Sequence, residues 1–209
     1  MLYAAPAWAP SLRYKSYCQS LRSGSRAIIL RVCFGHGNMS TAAAEVIAGI
    51  VPLHLQAKEL YEKNRGTDKA FARAQTMTAW QAEWSGNRDV AGWTKRLIPN
   101  LGRWLGRKHG ETTRTTTQFL SGHGVFRSRL YNCGLVASPN CVFCHELDTP
   151  EHAFFNCMMF ERNRLQLEHE VGPLRPETTV DVMLRSAEDW CLVAEYIDTV
   201  VLSKELREH

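Results

Sequence analysis

The sequence of 209 residues is poor in features that would assign it to a membrane, to the extracellular space or to a familiar catalytic class. Its longest apolar runs are broken by charge or proline, so none approaches the roughly 18 residues that a membrane helix needs. The apolar start at Met1–Pro10 carries no basic residue, so we expect no signal peptide. There is no adjacent Asp–Asp pair and no Walker, GxSxG or HExxH motif. We therefore predict no catalytic residue in this chain.

The seven cysteines are an odd number and lack the spacing of a secreted disulfide framework. This favours a reduced, intracellular protein whose closely spaced cysteines bind a metal. Four cysteines lack ligand spacing, and we interpret them as small buried hydrophobic residues. They are Cys18, Cys33, Cys133 and Cys191.

The clearest chemical signal is the pattern C-x2-C-x7-H-x4-C, formed by Cys141, Cys144, His152 and Cys157. A two-residue gap lets both thiolates of a turn face one cation. The histidine and the last cysteine then lie about one turn apart at the start of the following helix and share a face. Three thiolates and one imidazole complete a closed tetrahedral site, so we predict a structural zinc ion. A small zinc-nucleated core is predicted from Phe143, Phe154 and Phe155.

Acidic residues are nearly absent from the basic segment, residues 95–145, which carries eight basic side chains against Glu111 alone. Residues 146–209 carry six basic and fourteen acidic side chains. Because cations alternate with aromatic rings in the basic segment, we predict that it binds nucleic acid, chiefly through Arg107 and Lys108 with Trp104 as a stacking surface. The alternative is an ordinary solvated face over a core that contains the rings. The predicted contacts are Lys95, Arg96, Arg103, Trp104, Arg107, Lys108, Arg114, Arg127 and Arg129.

Helical periodicity dominates the chain, and the alternation typical of strands never extends beyond a few residues. One helix is predicted at 42–48, capped by Ser40 or Thr41 and ended by Gly49, and another at 68–84 with its two tryptophans facing the core. The tail from 180 to 206 is predicted as one short and one long amphipathic helix. The expected fold is mainly α, with a thumb-like helical region at 1–66, a basic helical linker at 67–137, a zinc knuckle at 138–160 and an acidic helical tail at 161–209.

Several short stretches, taken together, resemble one protein family. They are Leu2-Tyr-Ala-Ala-Pro-Ala-Trp8, Leu30-Arg-Val-Cys33, Ser40-Thr-Ala-Ala43, Ala48-Gly-Ile50, Gln118-Phe-Leu-Ser-Gly-His-Gly124 and the C-x2-C-x7-H-x4-C pattern. This combination resembles the region that follows the polymerase core in the Pol polyproteins of non-LTR retrotransposons, most of all the type-1 elements inserted in ribosomal-RNA genes. The resemblance runs over nearly the whole chain.

The resemblance implies a parent polyprotein that is an RNA-directed DNA polymerase and endonuclease acting by target-primed reverse transcription. The paired aspartates of the polymerase palm are absent here, so the chain alone is expected to be inert. The expected cofactor is structural zinc, with Mg²⁺ needed only by the parent polymerase. The expected partners are element RNA, target DNA and the rest of the polyprotein, without a membrane, and the expected location is intracellular and nuclear. A second class stays open: a zinc-stapled helical protein-interaction module of a host-type protein, with the acidic helices at 161–209 as its interaction face.

Overall fold

The computed structural model describes residues 2–86 and 90–208. Within these ranges the predicted mainly α class is confirmed, since the only β-like pairing is one isolated bridge between Asn140 and Leu147. No described helix is both long enough and apolar enough to cross a membrane. The α-helices are α1 (Ala5–Trp8), α2 (Lys15–Val32), α3 (Thr41–Ala48), α4 (Leu53–Asn64), α5 (Lys69–Gly86), α6 (Gly92–Leu97), α7 (Leu101–Leu105), α8 (Arg114–Ser121), α9 (Arg127–Asn132), α10 (Glu161–Val171), α11 (Pro176–Met183) and α12 (Ala187–Glu208).

Two helices of the first half begin, end and face inwards as the sequence predicts. The Ser40 hydroxyl accepts a hydrogen bond from the Ala43 amide at 3.1 Å, and Gly49 ends α3 in the left-handed conformation at φ +68°. α5 covers the second predicted helix, and its Trp80 and Trp84 are only 1% and 3% exposed. Their spacing therefore marks the core side of α5, as predicted.

The tail folds into the predicted short and long helices, α11 and α12. Pro176 begins α11, where its fixed φ suits the first helical turn. α12 buries an apolar stripe and packs against α8, α10 and α11. One face of the last helix is therefore part of the core.

One hydrophobic core runs through most of the described chain. α8 is buried along almost its whole length and packs against α3, α6 and α12. Its Phe119 ring meets the Phe154 ring edge to face, with 4.7 Å between the centroids. A smaller apolar cluster joins α1 to α4. The main core contains residues from all four predicted parts, so these parts share one interior, and their division into domains stays a prediction.

Candidate metal centre and basic segment

The structure brings Cys141, Cys144, His152 and Cys157 together, with ligand atoms that all lie within 4.8 Å of one another. Cys157 Sγ is 3.9 Å from the Sγ atoms of the other two cysteines, and Cys144 Sγ is 3.2 Å from His152 Nε2. Two thiolates bound about 2.3 Å from a tetrahedral zinc lie about 3.8 Å apart. These spacings therefore fit one ion held by three sulfur atoms and one nitrogen atom.

A tight loop presents the first two ligands. The Cys141 amide donates to the Glu146 carbonyl at 2.7 Å, and the His145 amide donates to the Cys141 carbonyl at 3.0 Å. The bridge between Asn140 and Leu147 closes the base of this loop. His145 reverses the chain in the left-handed conformation, at φ +65°. The backbone hydrogen bonds therefore hold both thiols on one side of the loop.

The last two ligands are five residues apart, a spacing that an α-helix would not place on one face. At about 100° per residue, positions i and i+5 of an α-helix point about 140° apart. The chain forms a π-helical turn over His152–Asn156 instead, closed by the Cys157 amide donating to the His152 carbonyl at 2.7 Å. The wider turn brings residue i+5 back over residue i. The predicted shared face is therefore made by a π turn, not by an α turn.

Burial sets the protonation of this cluster. Burial, together with the nearby sulfurs of Cys141 and Cys144, raises the pKa of the Cys157 thiol to about 12. Burial also lowers the pKa of His152, which keeps its imidazole neutral and able to coordinate at neutral pH. A bound cation would instead favour the thiolate form of Cys157, because a coordinating thiol is deprotonated outright. The donor set therefore suits a thiophilic cation such as zinc.

The last helix holds the ligand-bearing segment at two buried points. The Lys204 ammonium on α12 donates to both carboxylate oxygens of Asp148 at 2.7 Å, and both side chains are at most 2% exposed. On the same helix, the Tyr196 hydroxyl donates to the Phe154 carbonyl at 2.7 Å. Asp148 and Phe154 lie on either side of His152 in the sequence, so α12 fixes the chain both before and after this ligand. Sequence reasoning missed the ion pair, whose members lie 56 residues apart.

Two predictions about the surroundings of the site are wrong. Phe154 does not belong to a separate zinc-nucleated core, since its ring packs against Phe119 and Phe126 in the main core. Cys133 and Cys191 are exposed, not buried. Both errors have one cause: neighbouring residues in the sequence do not show whether a distant helix covers a given side chain.

The basic segment does not form an open strip of positive charge, because carboxylates that follow it in the chain engage four of its arginines. Arg96 has the most contacts, with two hydrogen bonds to Glu151 at 2.7 and 3.0 Å and two to Glu177 at 2.9 and 3.0 Å. The charge of these four arginines is therefore partly compensated within the fold, and their contact with nucleic acid stays a prediction. The pairs are Arg96 with Glu151 and Glu177, Arg103 with Asp181, Arg114 with Glu205, and Arg127 with Glu208.

Trp104 is not a stacking surface for bases, and that prediction is wrong. Its side chain is fully buried, and its indole N–H donates to the Val46 carbonyl at 2.7 Å. The guanidinium carbon of Arg107 lies 3.9 Å from a Trp104 ring centroid, and Arg107 also donates to the carbonyls of Trp104 and Gly110. The Trp104 ring, which was predicted to stack on a base, therefore belongs to the core of the protein.

Lys108 differs from the other exposed cations of the predicted set, which are held in ion pairs. It is exposed, and within residues 2–86 and 90–208 no hydrogen bond or ion pair of its side chain is found. It lines an open groove of about 830 Å³ together with Arg73 and Arg107. The exposed side chains of Val32 and Phe34 border the same groove. The remaining predicted contacts outside the ion pairs, Lys95 and Arg129, do not line it.

The stretch Gln118–Gly124, which carries part of the family resemblance, has a structural role. Gln118 is buried and its amide donates to Glu205 on α12 at 3.0 Å. Gly122 ends α8 in the left-handed conformation, and a Cβ atom at Gly124 would lie 2.0 Å from the Gln118 Oε1 atom. The stretch therefore ends α8 and joins it to the last helix.

Comparison with known proteins gives one similarity, and no family model and no solved structure matches the chain. The chain is similar to the Retrovirus-related Pol polyprotein from type-1 retrotransposable element R1 4 of Nasonia vitripennis, with 24% identity over 201 residues. The match covers 82% of this chain, and the chain spans about half of that relative, 49% of its length. The resemblance to the Pol polyprotein of non-LTR retrotransposons, predicted from the sequence, is thereby confirmed.

Proposed function

We propose that this chain is a nucleic-acid-binding, C-terminal part of a retrotransposon Pol polyprotein and that a structural zinc ion holds it together. The observation that best supports the zinc assignment is the buried cluster of three cysteines and one histidine. A four-ligand set of this kind is typical of zinc sites that stabilise folding. Zinc in this cluster fastens the loop at 141–147 to the π turn that follows it.

Metal content is the direct test of this assignment. The purified, reduced chain is expected to contain about one zinc per molecule by elemental analysis, and Cys144→Ser is expected to lose most of it. Cys133→Ser is the matched control, because Cys133 is an exposed cysteine outside the cluster. A folded, reduced wild-type sample without metal contradicts the zinc assignment, and a Cys144→Ser protein with full zinc contradicts the ligand set.

The groove beside Lys108 supports the second half of the proposal. Arg73, Arg107 and Lys108 line it, and phosphate groups are the ligands that such clustered cations favour. Arg73 also forms an ion pair with Glu59 at 3.3 Å, so Lys108 is the main phosphate contact that we assign to the groove. The four arginines paired with carboxylates serve mainly the fold. Nucleic-acid binding by this chain is therefore assigned to the groove, not to the whole basic segment.

A salt titration of binding tests this location. Lys108→Ala is expected to weaken binding to all sequences and to reduce the salt slope by about 0.9 for duplex DNA or about 0.7 for a single strand, because one phosphate contact is lost. Arg103→Ala removes another exposed cation, one that is already paired with Asp181, and is expected to change the slope far less. Equal slopes for Lys108→Ala and wild type would mean that Lys108 does not contact a phosphate group.

The wider context follows from the similarity to a Pol polyprotein. We assign polymerase and endonuclease activity to other regions of the parent polyprotein, and element RNA, target DNA and those regions are the proposed partners. Mg²⁺ belongs to the parent polymerase, and the nucleus is the proposed site of action. The alternative, a host-type protein-interaction module with an acidic face, is disfavoured because four carboxylates of residues 161–209 already pair with the basic segment.

A further inference from the structure

Phe34 adopts a backbone conformation that bulky residues avoid. It follows α2 with φ +54°. Its amide donates to the Arg31 carbonyl at 3.4 Å, and the Gly35 amide donates to the Leu30 carbonyl at 2.7 Å. This pair of hydrogen bonds is the usual helix ending that places glycine at the left-handed position. A phenyl group adds nothing to these backbone bonds and makes the conformation less favourable, so helix termination does not explain it.

Core packing does not explain the phenyl group either. The Phe34 side chain is 56% exposed. The interior constrains the next residue instead: a Cβ atom at Gly35 would lie 2.6 Å from Met39 Cε and 2.9 Å from Leu30 Cδ2. A side chain at position 35 would therefore displace the ends of the Met39 and Leu30 side chains, whereas the side chain at position 34 faces outwards.

The exposed ring lies beside two cations of the predicted nucleic-acid-binding set, Arg107 and Lys108. Phe34 and Val32 line the same groove as Arg73, Arg107 and Lys108. Glu111 is the only acidic residue among the described residues that line it. An aromatic face beside clustered cations is the combination that holds an unpaired base and its neighbouring phosphates.

We propose that Phe34 is a stacking platform for an unpaired base of a single-stranded nucleic acid whose phosphates follow the groove cations. This inference rests on the proposed nucleic-acid binding and specifies the kind of strand. The bases of a duplex are already paired and stacked, so a duplex meets the cations but has no base face to offer the ring. An acidic peptide would satisfy the cations but has no flat face to offer Phe34.

The proposal is tested with the zinc-loaded full chain and a fluorescent oligothymidylate of about 15 residues, beside a mixed-sequence duplex of the same length. Phe34→Gly is expected to weaken single-strand binding roughly 5- to 150-fold, the loss typical of removing one stacked aromatic. Its salt slope is expected to stay that of wild type, because no phosphate contact is lost. Its thermal midpoint is expected to be equal to or above that of wild type, because glycine is the residue that this helix ending favours.

Two control variants separate stacking from bulk and from general surface effects. Phe34→Tyr keeps an aromatic face and is expected to bind as wild type, whereas Phe34→Leu keeps an apolar side chain without that face and is expected to resemble Phe34→Gly. Phe71→Ala removes a similarly exposed aromatic ring, 58% accessible and outside the groove lining, and is expected to leave binding unchanged.

The outcomes distinguish the two levels of the proposal. A wild-type chain that binds neither probe contradicts the proposed nucleic-acid function itself. A wild-type chain that binds while Phe34→Gly binds equally well overturns only the stacking role. Equal losses for the duplex and the single strand, or a Phe34→Gly protein that melts well below wild type, also overturn it, since they would point to a structural role for the ring.

Discussion

Replacing Lys204 with methionine is expected to destabilise the protein strongly, because the Asp148 carboxylate stays buried without its counter-ion. Asp148 is 0% exposed and Lys204 is 2% exposed. Removing one partner of such a pair typically costs about 3–5 kcal/mol. The Arg127 amide still donates to Asp148 Oδ2 at 2.7 Å, so we expect a value near the lower limit, about 3 kcal/mol. At about 2–4 °C per kcal/mol for a chain of this size, the thermal midpoint falls by about 6–12 °C.

The assay is denaturant unfolding of the zinc-loaded protein, followed by circular dichroism, with two comparison variants. Arg103→Gln removes an exposed pair to Asp181 and is expected to cost less than about 1 kcal/mol. The double variant Lys204→Met/Asp148→Asn has no buried charge, and its amide oxygen still accepts from the Arg127 amide. It is expected to recover much of the loss, because replacing both members of a buried pair is far less costly than replacing one.

The result that would refute this reasoning is a cost for Lys204→Met as small as that for Arg103→Gln. It would mean that water reaches the Asp148 carboxylate and that α12 does not enclose it. A double variant as unstable as Lys204→Met would locate the loss in the packing of the lysine stem instead of in the stranded charge.

Three further measurements follow from the site and the ion pairs. Zinc affinity, measured by chelator competition, should rise from about pH 6 to about pH 8, because Cys157 must lose the proton that its raised pKa of about 12 retains. The lowered pKa of His152 favours the neutral imidazole that coordinates zinc. A pH-independent affinity contradicts this prediction. Hydrogen bonds from Arg96 lower the pKa of Glu151 and Glu177. The stability that these two carboxylates contribute is therefore fully present above their ordinary pKa of 4.5 and is lost as the pH falls through their lowered pKa in the folded protein. Arg96→Gln should therefore cost less than about 1 kcal/mol at pH 7 by urea unfolding and almost nothing near pH 3, and an equal cost at both would be inconsistent with this. The chain alone should neither extend a primer nor nick DNA, since two-metal phosphoryl transfer needs carboxylates around paired ions; activity that disappears on substitution of a single carboxylate would refute this.

Features that depend on neighbours in the sequence were predicted well. The helix at 42–48 is set by Ser40 at one end and Gly49 at the other, so a few adjacent residues were enough to locate it. The spacing of Cys141 and Cys144 likewise depends on one turn, and the structure brings the predicted ligands together. The π turn was not predicted, because the same residues could have continued as an α-helix and only the closed backbone bond distinguishes the two.

Features that depend on distant partners were not predicted. Trp104 lies among cations in the sequence, yet its position is decided by α3, whose Val46 carbonyl accepts its indole N–H. Lys204 lies in an acidic helix and looks like one of many surface charges until Asp148 is placed opposite it. A sequence shows the type of each side chain. Whether that side chain is buried or forms an ion pair depends on which helices pack against each other, and those contacts join residues far apart in the sequence.

The ion pairs between the basic segment and distant carboxylates change the expected salt dependence of nucleic-acid binding. If half of the eight cations in the basic segment touched phosphate, the slope of log K against log salt for duplex DNA would be about −3.6. The structure pairs four of them with carboxylates and places two others, Arg107 and Lys108, on the groove. Arg73, which forms an ion pair with Glu59 at 3.3 Å, is the third cation that lines it. The expected slope is therefore no steeper than about −2.7 for a duplex and about −2.1 for a single strand. A measured slope of −3.6 or steeper would mean that cations outside the groove also touch phosphate, either Lys95 and Arg129 or arginines released by carboxylates such as Glu205.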